Sequence, residues 1–69
     1  MRKYLTKPVF DEWAKEVAIP ELQHSCCSSV EAYESGENCV YLVLTVEEGD
    51  EYLLHDTCEA LDQLEVTEL

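Results

Sequence analysis

Cys39-Val40-Tyr41-Leu42-Val43-Leu44-Thr45-Val46 is the stretch whose reading decides the fold, and Glu47-Glu48-Gly49-Asp50 follows it directly. The first segment is β-branched and aromatic and too short for an independent helix, so it predicts a strand. The second predicts a turn, with Gly49 supplying the positive φ that short loops need. Glu51 to His55 then reads as a returning strand. Upstream, residues 26 to 33 alternate weakly and end in Glu34-Ser35-Gly36-Glu37-Asn38, another turn signal. Three antiparallel strands in a meander are expected. The first of them also reads as a helical turn or two over Ser28 to Tyr33.

Helices are expected on either side. Phe10, Trp13, Ala14 and Val17 fall at i, i+3, i+4 and i+7, which makes residues 8 to 18 an amphipathic helix with Trp13 as a core anchor. Thr6 suits its N-cap and Pro8 its first turn, and Pro20 should stop it by Ile19. Asp56-Thr57-Cys58-Glu59 carries a capping-box pattern, with Leu61 and Leu64 following, so a second helix is expected over 57 to 66. The expected fold is one two-layer α+β domain over residues 1 to 69, in the order helix, three-stranded meander, helix. Val40, Leu42, Leu44 and Val46 should share the core face with Leu53, Val30 and Ala32. The opposite face should carry Tyr41, Val43, Thr45, Tyr52, Leu54 and Tyr33.

Charge restricts function more than any motif does. The chain has 16 Asp and Glu against 4 Lys and Arg, a net charge of −12. Arg2, Lys3, Lys7 and Lys15 are its only such bases, and none occurs from Glu16 to Leu69. Such a field repels nucleic acid and anionic membranes and attracts basic surfaces. It also favours solubility, whatever the function. No stretch approaches the roughly 20 apolar residues that cross a bilayer. The basic start at Arg2 and Lys3 is not followed by a signal-peptide apolar run, and a cytoplasmic location is expected.

The chemistry-bearing residues form no known catalytic pattern. Cys26, Cys27, Cys39 and Cys58 read as buried hydrophobes in a reducing compartment, with disulfide pairing and zinc binding as alternatives. His24 and His55 would complete a zinc set, but no knuckle spacing of the usual kind occurs. Cys58, at the expected start of the second helix and three residues from His55, is the best nucleophile on offer. Hydrolase, zinc-protease, P-loop and dinucleotide signatures are missing. Glu47, Glu48, Asp50 and Glu51 lack calcium-loop spacing. Neither an enzyme, nor a metal site, nor a cofactor is expected.

A binding protein is the remaining class. On the expected second helix Glu59, Asp62 and Glu65 stand at three-residue steps, about 4.5 Å of rise each, and Glu47, Glu48, Asp50 and Glu51 extend that track. An array of carboxylates can imitate phosphates, which lie one per roughly 1.7 Å of duplex axis. In size, acidity and lack of motifs the chain resembles the small phage-encoded inhibitors of host defence, including DNA-mimicking anti-restriction and anti-CRISPR proteins and inhibitors of DNA-repair enzymes. The resemblance is to a class and rests on charge over the whole chain. It implies that the acidic track blocks a nucleic-acid-binding protein in the host cytoplasm, without direct contact to nucleic acid or membrane. The alternative is an adaptor or regulatory module that docks, or forms a homodimer, through an apolar face made of Tyr33, Tyr41, Tyr52 and Leu54.

Overall fold

A computed structural model describes residues 1–62 and 64–69. Its elements are β1 (Arg2–Thr6), β2 (Val9–Phe10), a helix built of α1 (Asp11–Trp13), a π segment (Ala14–Ala18) and α2 (Ile19–Ser25), then β3 (Cys27–Glu34), β4 (Cys39–Val46), α3 (Glu51–Ala60) and β5 (Val66–Glu68). The class is α+β with an antiparallel sheet. That sheet has five strands rather than three.

The hairpin of β3 and β4 forms where the sequence places it. Its turn uses left-handed backbone at Gly36 (φ 93°) and Asn38 (φ 60°), the conformation these two residue types tolerate best. The register sets Val30 opposite Leu44 and Tyr33 opposite Tyr41.

On the other side of β4 lies the N-terminal segment, for which the sequence had suggested no strand. Residues 2–5 pair with 43–46, and Val9 and Phe10 pair with Val40 and Cys39. Between them Lys7-Pro8 breaks the ladder, as proline must, having no N–H to give. At the break the Thr6 hydroxyl oxygen accepts the N–H of Leu42 at 2.8 Å. Thr6 is therefore no helix cap. It is a buried strand residue that supplies an acceptor where the backbone cannot.

β1 also pairs with β5. Taking β1 and β2 as one interrupted strand, the chain runs β-α-β-β-α-β, and the strands lie across the sheet in the order fourth, first, third, second. This is the split βαβ topology. β3 and β5 are its edges.

Two helix expectations are corrected. The first helix begins at Asp11, not at residue 8, and passes through Pro20 to Ser25. The Ile19 N–H donates to the Ala14 carbonyl, five residues back. That wider π turn makes room at the point where a proline ring would strike the preceding carbonyl of an α-helix. Its buried stripe is Ala14, Ala18 and Leu22, each fully enclosed, while Trp13 is half-buried and Val17 exposed. Phe10 has left the helix altogether and stands exposed on β2.

The second helix starts at Glu51, so the expected strand over 51–55 does not exist and Gly49 (φ 98°) turns a strand into a helix instead. The Glu51 carboxylate accepts the Gly49 N–H at 2.7 Å, which closes that turn. Helix α3 ends at Ala60 and Asp62 has φ 48°, so the expected helix over 57–66 is not formed. Residue 63 of that span lies outside the described residues.

One core joins both helices to one side of the sheet. Ala14, Ala18, Leu22 and Leu54 meet Tyr4, Val9, Val40, Leu42, Leu44 and Val46. Burying a residue such as Leu42 or Leu54 is worth about 1.5–3 kcal/mol each.

Candidate functional site

The sheet face turned away from the helices is the most distinctive surface. Register places Lys3, Leu5, Phe10, Ser29, Glu31, Tyr33, Cys39, Tyr41, Val43, Thr45 and Thr67 on it, because these residues pair with one another and alternate along each strand with residues of the core face. Tyr33 and Tyr41 stack there with ring centroids 5.4 Å apart and planes inclined by 20°. The Tyr33 hydroxyl donates to the Glu31 carboxylate at 2.7 Å. That bond, reinforced by the carboxylate's charge, raises the phenol above its ordinary pKa. Phe10 is 66% exposed and Tyr33 43%.

Two residues expected on this face are elsewhere. Leu54 is fully buried in the core from α3, and Tyr52 stands exposed on the same helix. They were assigned by strand alternation to a segment that is helical. Leu5, Phe10 and Lys3 take part in their stead. Their signal is the alternation of Lys3 and Leu5 with Tyr4 and Thr6, which reads as a half-buried strand.

Most of the acids lie on the two helices and the connections at the ends of α3. Asp11, Glu12, Glu16 and Glu21 lie on the first helix, Glu51, Asp56 and Glu59 on α3. Glu47, Glu48 and Asp50 form the connection entering α3, and Asp62 and Glu65 the connection leaving it. Glu34 and Glu68 fall on the helix side by register, opposite Val40 and Tyr4, and Glu37 is in the hairpin turn. Within the paired strands only Glu31 shares the open face.

The proposed track of Glu59, Asp62 and Glu65 is not a helical ridge. Glu59 belongs to α3, Asp62 reverses the chain in left-handed backbone, and Glu65 precedes β5. Glu12, Glu16 and Glu21, which the sequence reading passed over, extend the acidic layer along the first helix. The i, i+4 spacing of Glu12 and Glu16 is the signal that places them on one helical face.

Cations answer few of these charges. Arg2 reaches Glu51 at 3.1 Å and also pairs with Glu68. Lys7 pairs with Glu65 at 2.7 Å, and Lys15 with Asp11 at 3.3 Å. Hydrogen bonds from backbone N–H groups, then Arg2, hold the Glu51 carboxyl below its ordinary pKa. Among the described residues Glu12, Glu16, Glu21, Glu47, Glu48, Asp56, Glu59 and Asp62 join no ion pair.

The cysteines sit inside. Cys26 and Cys27 are buried with sulfurs 3.5 Å apart, and Cys58 faces them from α3 half-buried. Burial raises the thiol pKa of Cys27 strongly, with help from Cys26, and raises that of Cys58. Cys58 is thus not at a helix start, and its thiol is held neutral rather than activated. Among the described residues no three His, Cys, Asp or Glu side chains are grouped to hold a metal ion. Among the described residues no helix is long and apolar enough to cross a membrane.

Compared with known proteins, the chain matches no family model, no curated protein and no solved structure.

Proposed function

We propose that the chain is a non-catalytic binding protein whose acidic helix layer engages a basic, nucleic-acid-binding protein and occupies the surface that nucleic acid would take. The observation that carries this reading is the segregation of charge. Twelve of the 16 acids are gathered on the two helices and the connections at the ends of α3, while the open sheet face has one. Charges spread for solubility alone have no reason to avoid one face.

A DNA-like ridge is not required for this activity. A layer of unpaired carboxylates raises the local concentration of lysine- and arginine-rich surfaces and speeds their encounter. Direct nucleic-acid binding is disfavoured. Four-stranded sheets of this kind can stack bases on exposed aromatics, but such binding draws its affinity from phosphate contacts to cations. Within the paired strands of this face Lys3 is the one cation, and Lys7 at its rim is taken up by Glu65.

The test is affinity capture from a bacterial lysate by the wild-type chain and by a Glu12→Gln, Glu16→Gln, Glu21→Gln, Asp56→Asn, Glu59→Gln variant. A nucleic-acid-binding protein retained by the wild type alone, and displaced by a duplex oligonucleotide, is the expected result. Equal retention by both proteins would remove the acidic layer from the account.

A further inference from the structure

We propose that the open sheet face is covered by a second copy of this chain, the two sheets packing face to face around Tyr33, Tyr41 and Val43. The inference concerns the face opposite the acidic layer and does not depend on what that layer binds.

Three observations point to a second copy. The first is the distribution of charge. A protein of net charge −12 would ordinarily resist self-association, yet here the open faces can meet with both helix layers turned outward. With sheets about 10 Å apart and a similar spacing from each sheet to its helices, the acidic layers stand about 30 Å from one another. That is several times the Debye length of about 8 Å at physiological ionic strength, so their repulsion is largely screened.

The second is self-complementarity. Within its paired strands the face has one cation and one carboxylate on opposite flanks of β4, Lys3 on β1 beside Thr45 and Glu31 on β3 beside Val43, while Lys7 and Glu65 at the rim of the β1–β5 ladder pair with each other. A two-fold axis in the interface and parallel to β4 lays β1 of one copy over β3 of the other. Each Lys3 is then brought next to a Glu31, as an isologous interface demands. The edge strand β3 is less suited to the task, since it carries Glu31 on one face and Glu34 on the other, charges that discourage strand-to-strand pairing.

The third is area. Strands of five, two, eight, eight and three residues, about 4.8 Å apart with about 3.4 Å per residue, give a face of about 420 Å². Two such faces bury about 850 Å², the size of a weak, concentration-dependent interface. A dimer that assembles with concentration is the outcome, with an aromatic centre and a polar rim.

Sedimentation equilibrium of the full chain, from low micromolar to near-millimolar concentration at physiological salt, tests this. The mass should rise from 7.9 kDa to twice that value. Phe10→Glu and Tyr33→Glu change exposed side chains, and both variants should stay folded by circular dichroism and monomeric throughout. Lys3→Glu should weaken the dimer, and Lys3→Glu combined with Glu31→Lys should restore it. A wild-type chain that remains at 7.9 kDa across the range overturns the proposal. So does a dimer that survives the open-face substitutions, or a charge swap that fails to rescue.

Discussion

Replacing Thr6 by valine removes one oxygen and keeps the shape of the side chain. Thr6 is 3% exposed, and its hydroxyl oxygen takes the N–H of Leu42 at the break between β1 and β2. Valine fills the same volume but leaves that N–H buried without an acceptor, since Pro8 and the kink around it draw the neighbouring backbone away. A buried donor left unpaired costs about 1–3 kcal/mol. A chain of this length has about 3–10 kcal/mol of total stability, so the loss is a large fraction of it. Urea denaturation followed by circular dichroism is the assay. With a slope of about 1 kcal/mol per molar urea, the midpoint should fall by about 1–3 M. Thr6→Ser keeps the acceptor and loses only a methyl group, worth about 0.8 kcal/mol. Amide exchange at Leu42 should accelerate in the valine variant and not in the serine one. A valine variant as stable as the wild type, or a serine variant as damaged as the valine one, refutes the role assigned to the hydroxyl.

Further consequences can be checked with single substitutions. Leu54→Ala should cost about 2–5 kcal/mol by emptying a fully buried site, whereas Tyr52→Ala on the exposed face of the same helix should change stability by less than about 0.5 kcal/mol, both read by thermal unfolding. Gly49→Ala meets no steric obstacle, but its φ of 98° should still make it destabilising by about 1–2 kcal/mol in the same measurement. Ultraviolet titration should find the Tyr33 phenol ionising at higher pH than an ordinary tyrosine, and Glu31→Gln should move it back toward the ordinary value. Because the folded pKa is the raised one, the Tyr33–Glu31 contribution is fully present below the unfolded phenol's pKa and is lost as pH rises through the folded value. A thiol reagent near neutral pH should modify Cys27 far more slowly in the native protein than in urea, since burial keeps that thiol protonated.

The parts of this fold that were legible in the sequence are those where local and long-range signals coincide. Cys39 to Val46 is β-branched and aromatic, and Gly36 and Asn38 supply the turn before it, so β4 could be read directly, while β3, with its weak alternation, also suited a helical turn or two. The segment from Glu51 to His55 carries tyrosine and leucines that suit a strand. Only Leu54, Cys58 and Leu61, spaced by four and three, reveal the helix that tertiary burial selects. Pro20 misled for a local reason, because a π turn can admit a proline that an α-helix cannot. β1 was hidden because its alternation of Lys3 and Leu5 with Tyr4 and Thr6 is short, and its partners lie some forty residues away in sequence. The same gap governs the candidate surfaces. Tyr33 and Tyr41 were placed together correctly through the hairpin register, while Phe10 and Leu5 join them only through pairing with the far side of β4. The acidity of the chain was evident at once, but the gathering of most acids on the helices and the connections of α3 depends on that topology.

The most direct test of the acidic layer's role is the salt dependence of its affinity for a captured partner. Binding is measured by calorimetry or interferometry from low to high ionic strength, with the wild-type chain and with the variant neutralised at Glu12, Glu16, Glu21, Asp56 and Glu59. The account predicts that wild-type affinity falls steeply as salt rises and that the neutralised variant binds weakly with a shallower slope. A salt-independent affinity that the neutralised variant shares would contradict it.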